Sequence, residues 1–125
     1  MRYKHKLEKE IMCPLEYGLN IFGGKWKSRI ICVLSSKKKM RYKELKNELV
    51  NISDTVLADM LKELLKDNVI ERIQYNEIPI RVEYLLTEKG MSILPILQSI
   101  CTWSKINTGD NLEHKLPICK NCTQI

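Results

Sequence analysis

Apolar residues recur every three or four positions along most of the chain and change to alternation once, past its middle. Pro14 opens a short apolar segment that runs to Phe22 and meets Gly23-Gly24, and proline suits the first position of a helix. Lys25 to Leu34 sets Trp26, Ile30, Ile31, Val33 and Leu34 among basic residues, the pattern of a helix with one buried face. Lys37, Lys38 and Lys39 form its exposed exit. Tyr42, Leu45 and Leu49 fall at i, i+3 and i+7, which predicts a short helix with one apolar stripe. A turn at Asn51-Ile52 follows. Ser53 then caps a helix running to about Asp67, with Val56, Leu57, Met60, Leu61, Leu64 and Leu65 inward and Asp54, Thr55, Ala58, Asp59, Lys62 and Glu63 outward.

Val69 to Tyr75 alternates and is rich in β-branched residues, as does Arg81 to Leu86, and Pro79 between them is unsuited to a central strand. Together they predict a hairpin. Thr87 caps a last helix carrying Met91, Leu94, Leu97, Ile100, Cys101, Trp103 and Ile106, which Pro95 is expected to kink. Two short amphipathic helices followed by a hairpin make a winged helix-turn-helix, so the fold class is mainly α with a small β-hairpin. The last helix has more apolar positions than one core-facing stripe needs, Ile93 and Ile96 included. We therefore expect the terminal helices to form a dimer through Leu94, Leu97, Ile100, Cys101 and Trp103, with burial inside one subunit as the alternative. The organisation reads as a basic N-terminal extension (1–12), one domain with its dimerisation helix (13–107) and a flexible C-terminal tail (108–125).

A length of 125 residues suits one core, and 44% hydrophobic with 29% charged residues describes a globular protein. No apolar run reaches the roughly 20 residues of a membrane span, and the N-terminus lacks the features of a secretory signal, so a cytoplasmic location is expected. The net charge of +6 favours an anionic partner. Its distribution is more telling. Between Lys25 and Lys46 lie Lys25, Lys27, Arg29, Lys37, Lys38, Lys39, Arg41, Lys43 and Lys46, opposed only by Glu44. The only histidines, His5 and His114, lie near opposite ends, and Gly23-Gly24-Lys25 lacks phosphate-loop spacing. No catalytic constellation stands out, so an enzyme is not expected, and no cofactor is implied.

In this order the pieces resemble the HxlR-type winged helix-turn-helix transcriptional regulators, relatives of the MarR-like repressors. The resemblance rests on Cys13-Pro14, Ile21-Phe22-Gly23-Gly24-Lys25-Trp26, Arg41-Tyr42-Lys43-Glu44-Leu45, Ile52-Ser53, Leu61-Lys62-Glu63-Leu64 and, above all, Pro79 through Gly90. It implies a homodimer that binds an inverted-repeat operator in double-stranded DNA and, in several members, senses oxidants or electrophiles through a cysteine at the Cys13 position. Thr55 departs from the family, whose members often carry a basic side chain there.

On this reading Ser53, Asp54, Thr55, Asp59 and Lys62 face the major groove, where an aspartate could accept from cytosine N4. Lys37, Lys38, Lys39, Arg41 and Lys43 contact phosphates, and Arg81 in the wing reaches a flanking minor groove. Cys13 at the helix N-cap sits where the helix dipole favours a thiolate, with Lys4, Lys6 and Lys9 nearby in sequence. A passive residue at a tight turn is the alternative. Cys32 and Cys101 read as packing. Cys119 and Cys122 form one C-x-x-C, too few ligands for zinc by themselves, so no metal is expected. Competing functions are a winged-helix module that binds protein without specific DNA contact, and an RNA binder, for which an exposed aromatic platform is missing.

Overall fold

The structure, a computed structural model, describes residues 13–108. The expected extension at 1–12, with Lys4, Lys6 and Lys9, and the tail bearing His114, Cys119 and Cys122 lie outside the described residues.

Helix α1 (Pro14–Phe22) begins as expected, with Cys13 extended at the N-cap and Pro14 in the first turn. It ends where the Gly23 amide donates to the Leu19 carbonyl at 2.8 Å. A Cβ at Gly23 would collide with that same oxygen, so glycine is needed for the stop. Helix α2 (Lys25–Lys37) buries Ile30, Ile31, Val33 and Leu34. At its exit Lys38 has a φ of 75°. The Lys39 amide donates to Lys37 O at 2.9 Å across it, a γ-turn that is strained for a residue with a side chain.

Helices α3 (Tyr42–Glu48) and α4 (Asp54–Lys66) form the helix-turn-helix. The Glu44 carboxylate accepts from the Arg41 amide at 2.9 Å, satisfying a free donor at the start of α3. Ser53 Oγ accepts from the Val56 amide at 3.1 Å and caps α4 as its sequence predicts. Leu45, Leu49, Ile52, Leu57, Leu61 and Leu64 converge in the core with the buried face of α2.

Strands β1 (Ile70–Tyr75) and β2 (Arg81–Leu86) pair antiparallel, Ile70 opposite Leu86 and Tyr75 opposite Arg81. A contact that alternation does not signal ties this wing to the helices. Met40 and Tyr84 exchange both backbone bonds, at 3.0 and 2.8 Å, making the α2–α3 connection a third, one-residue strand.

The single kinked last helix is replaced by two. Thr87 caps α5 (Glu88–Met91), Ser92 and Ile93 turn, and α6 (Leu94–Thr108) starts afresh. Pro95 therefore lies in the first turn of α6, where its missing amide costs nothing, and there is no helix for it to kink. Thr108, expected to begin the tail, is the last residue of α6. No helix among the described residues is long and apolar enough to cross a membrane.

Candidate nucleic-acid interface

The nine basic residues between Lys25 and Lys46 do not form one surface. Lys27 is buried: its Nζ lies 2.7 Å from Glu63 Oε1 on α4 and donates to Asn20 O on α1 at 3.2 Å. Removing an ammonium from water requires such partners. The expectation that Lys27 adds to an exposed footprint, and that Glu63 belongs to the outward face of α4, is corrected here. Lys25 and Arg29 stack on Trp26, 4.6 and 5.2 Å from its ring centre. Lys46 lies 3.5 Å from Asp54 Oδ1. What remains is Lys37, Lys38, Lys39, Arg41 and Lys43, all exposed and gathered around the γ-turn and the start of α3. These are the five residues the sequence marked for phosphate contact.

Along α4, Thr55, Asp59 and Lys62 are exposed at i, i+4 and i+7 and share one face with Ala58. Ser53 is exposed at its start, with its oxygen already accepting the capping bond. Asp54 is committed elsewhere. The Tyr42 hydroxyl donates to Asp54 Oδ1 at 3.0 Å and lies 3.2 Å from its carbonyl, so this side chain joins α3 to α4. Partial desolvation and the bond to Asp54 push the Tyr42 hydroxyl above the usual tyrosine range. Periodicity puts Asp54 on the outward face; it cannot register a tyrosine twelve residues earlier that occupies it.

Arg81 is also held. Its Nε and Nη2 donate to the Glu77 carboxylate at 3.2 and 2.8 Å, its Nη1 donates to Glu83 at 3.1 Å, and the guanidinium lies 3.7 Å over the Tyr75 ring. The Glu77 carboxyl is drawn below the carboxylate range, first by that hydrogen bond and then by the charge of Arg81, with a smaller contribution from Arg41. Met40, between Lys39 and Arg41, pairs with Tyr84 in the middle of β2, so the basic cluster lies beside the wing.

Cys13 is exposed at the start of α1, and its side chain makes no capping bond. Cys32 packs against the core and Cys101 is partly buried. Among the described residues no three His, Cys, Asp or Glu groups are placed to hold a metal. Of the five residues expected at a dimer contact, Leu97 is buried in the protomer and Leu94 packs against the same core. Ile100 and Trp103 are exposed, and with Ile96 and Ile106 they form an apolar stripe along α6. Leu15 and Leu19 are exposed on α1, one turn apart.

The HxlR-like helix-turn-helix family matches residues 21–112. An HTH-type transcriptional regulator of Methanothermobacter thermautotrophicus is 42% identical over 97 residues, covering 78% of this chain and 73% of the relative. The crystal structure of the HTH-type regulator YtcD superposes with a TM-score of 0.73 at 40% identity, over 78% of this chain and 98% of that one. The redox regulator HypR in its oxidised form superposes with a TM-score of 0.71 at 31% identity, over 82% of this chain and all of that one (100%).

Proposed function

The chain belongs to the HxlR-like helix-turn-helix family of transcriptional regulators, and from that premise we propose that it acts as a homodimer on an inverted-repeat operator, with Cys13 as its chemical sensor. One observation carries the DNA reading: the free polar face of α4 lies in the same helix-turn-helix unit as Arg41 and Lys43 at the start of α3, next to Lys37, Lys38 and Lys39 at the exit of α2, all five of them exposed. In this reading Ser53, Thr55, Asp59 and Lys62 meet base edges in the major groove, while Lys37, Lys38, Lys39, Arg41 and Lys43 neutralise phosphates. Asp54 contributes by holding α4 against α3. Its charge is met by Lys46 and its Oδ1 accepts from Tyr42, which leaves Asp59 as the acidic side chain of the exposed face.

The exposed stripe of α6, with Ile100 and Trp103 at its centre, supports self-association, and it needs a cover in so small a protomer. Leu94 and Leu97 seat α6 on its own subunit, with Cys101 at the boundary. For Cys13, exposure at a helix N-terminus and the likeness to a redox regulator support reaction with an oxidant or electrophile. A change at the start of α1 would alter the dimer and hence the spacing of the two α4 helices, which must match half-sites about one helical turn, or a multiple, apart.

The test is a gel shift on the duplex upstream of the protein's own gene, with reduced, oxidised and Cys13→Ser protein. Binding by reduced protein, altered by oxidant only when Cys13 is present, is the expected result. Oxidant-dependent affinity that persists in Cys13→Ser removes the sensor role.

A further inference from the structure

Helix α1 is lightly seated on the domain. Ile21 is its one buried residue and Phe22 packs against the core, while Leu15, Tyr17 and Leu19 stand 69%, 48% and 54% exposed. A helix this short is marginal by itself in water, so with little burial its place depends on other ties. Two lysines supply them, and both run to α4.

The first tie is buried. Lys27 Nζ donates at 3.2 Å to Asn20 O, one of the last four carbonyls of α1, which have no partner inside their helix, and lies 2.7 Å from Glu63 Oε1 on α4. An ammonium there also meets the negative end of the α1 dipole. The second tie is its mirror. Lys89 Nζ, on α5, donates at 2.9 Å to the carbonyl of Asp67, the C-cap of α4, and at 3.3 Å to the Tyr17 hydroxyl of α1, whose ring centre is 5.8 Å away. Each lysine thus closes the C-terminal end of one helix while holding a side chain of the other.

We propose that Lys27 and Lys89 are positioning residues that couple the docking of α1 to the placement of α4 within one protomer, so that displacing α1 weakens duplex binding. The proposal rests on the DNA reading above and names a route of regulation for that site, separate from any change in the spacing of two protomers. When α1 leaves, Lys27 keeps Glu63 and gives up Asn20 O, and Lys89 keeps Asp67 O and gives up Tyr17. The end of α4 then loses its restraint on that side. By reciprocity, a duplex that fixes α4 favours docked α1 by the same factor.

The experiment is amide hydrogen exchange followed by NMR, with and without the duplex upstream of the protein's own gene. It compares wild type, Lys27→Met combined with Glu63→Leu, and Lys89→Met. The combined variant leaves no stranded buried charge. In wild type the duplex is expected to slow exchange at residues 18–23 about tenfold, within the ordinary range of coupling between two sites. In the combined variant it slows α4 as before but changes residues 18–23 by less than about twofold, and Lys89→Met falls between. Duplex affinity before and after oxidant is measured in the same proteins, and the response of wild type is expected to vanish in the combined variant.

Unchanged exchange at residues 18–23 when wild type binds the duplex overturns the proposal. So does tenfold slowing that survives in both variants, the mark of a cover supplied by the second protomer or by DNA. An oxidant response that persists in full in the combined variant is carried between protomers and also overturns it. If the combined variant does not fold, Lys89→Met decides: full slowing at residues 18–23 overturns the coupling, and reduced slowing supports it. A wild type that ignores oxidant, yet shows duplex-dependent slowing that the variants abolish, removes the sensor role of Cys13 and upholds the coupling. Absence of duplex binding overturns the DNA reading, and the coupling with it.

Discussion

Gly90 shows how much one missing side chain can fix. It lies in α5 directly against the Val69 carbonyl, and a Cβ there would overlap that oxygen and press on Leu86. The same junction is tied by Thr87, whose hydroxyl donates to Asn68 O at 2.6 Å and accepts from the Gly90 amide at 3.0 Å. Gly90→Ala is expected to cost about 2 kcal/mol, the scale of overpacking, read by urea unfolding. Glu77 yields a second expectation at this scale. Arg81 holds its folded pKa below the ordinary 4.5, so the ion pair favours the fold above that value and its contribution fades as pH falls through the lowered one. A carboxyl titration followed by NMR should show the Glu77 midpoint below 4.5, and Arg81→Met should return it upward. An unmoved midpoint would mean that the brace is absent in solution.

At the scale of elements, Lys27 joins three helices: it sits on α2, donates to the end of α1 and pairs with Glu63 on α4. Removing one partner strands the other charge, so Lys27→Met should destabilise the protein by about 3 kcal/mol in denaturant unfolding. Adding Glu63→Leu should recover much of that loss, because an apolar pair of similar volume carries no stranded charge. The boundaries of α1 to α4 and the hairpin were legible because each is a local pattern: Pro14 and Gly23 bound one helix, Ser53 caps another, and alternation marks the strands. Features that depend on distant partners were not. Nothing near Lys27 in sequence announces Glu63, nothing near Asp54 announces Tyr42, and the Met40–Tyr84 bridge joins residues on either side of the whole helix-turn-helix. The α5–α6 break was missed for another reason. Apolar spacing continues across it, and Pro95 is equally compatible with a kink inside one helix and with the first turn of the next.

On the scale of the whole molecule, the basic cluster, the free face of α4 and the apolar stripe of α6 support the two linked properties proposed above, self-association and duplex binding. Trp103, 65% exposed on that stripe, is a suitable point at which to separate them. Trp103→Arg should convert a dimer to monomer by light scattering without loss of helical signal. It should also weaken binding to an inverted repeat on the order of a hundredfold, since the two half-sites are no longer engaged together. A monomeric wild type would remove the dimer from the account. The central claim is that this surface reads DNA through phosphate-neutralising lysines and one helix face. Its most direct measurement is fluorescence anisotropy of the protein on its own upstream duplex across a series of salt concentrations. With about ten phosphates neutralised per protomer pair, five by each protomer, log affinity should fall against log salt with a slope near −9. A nearly flat slope, or no binding at low salt, would contradict it.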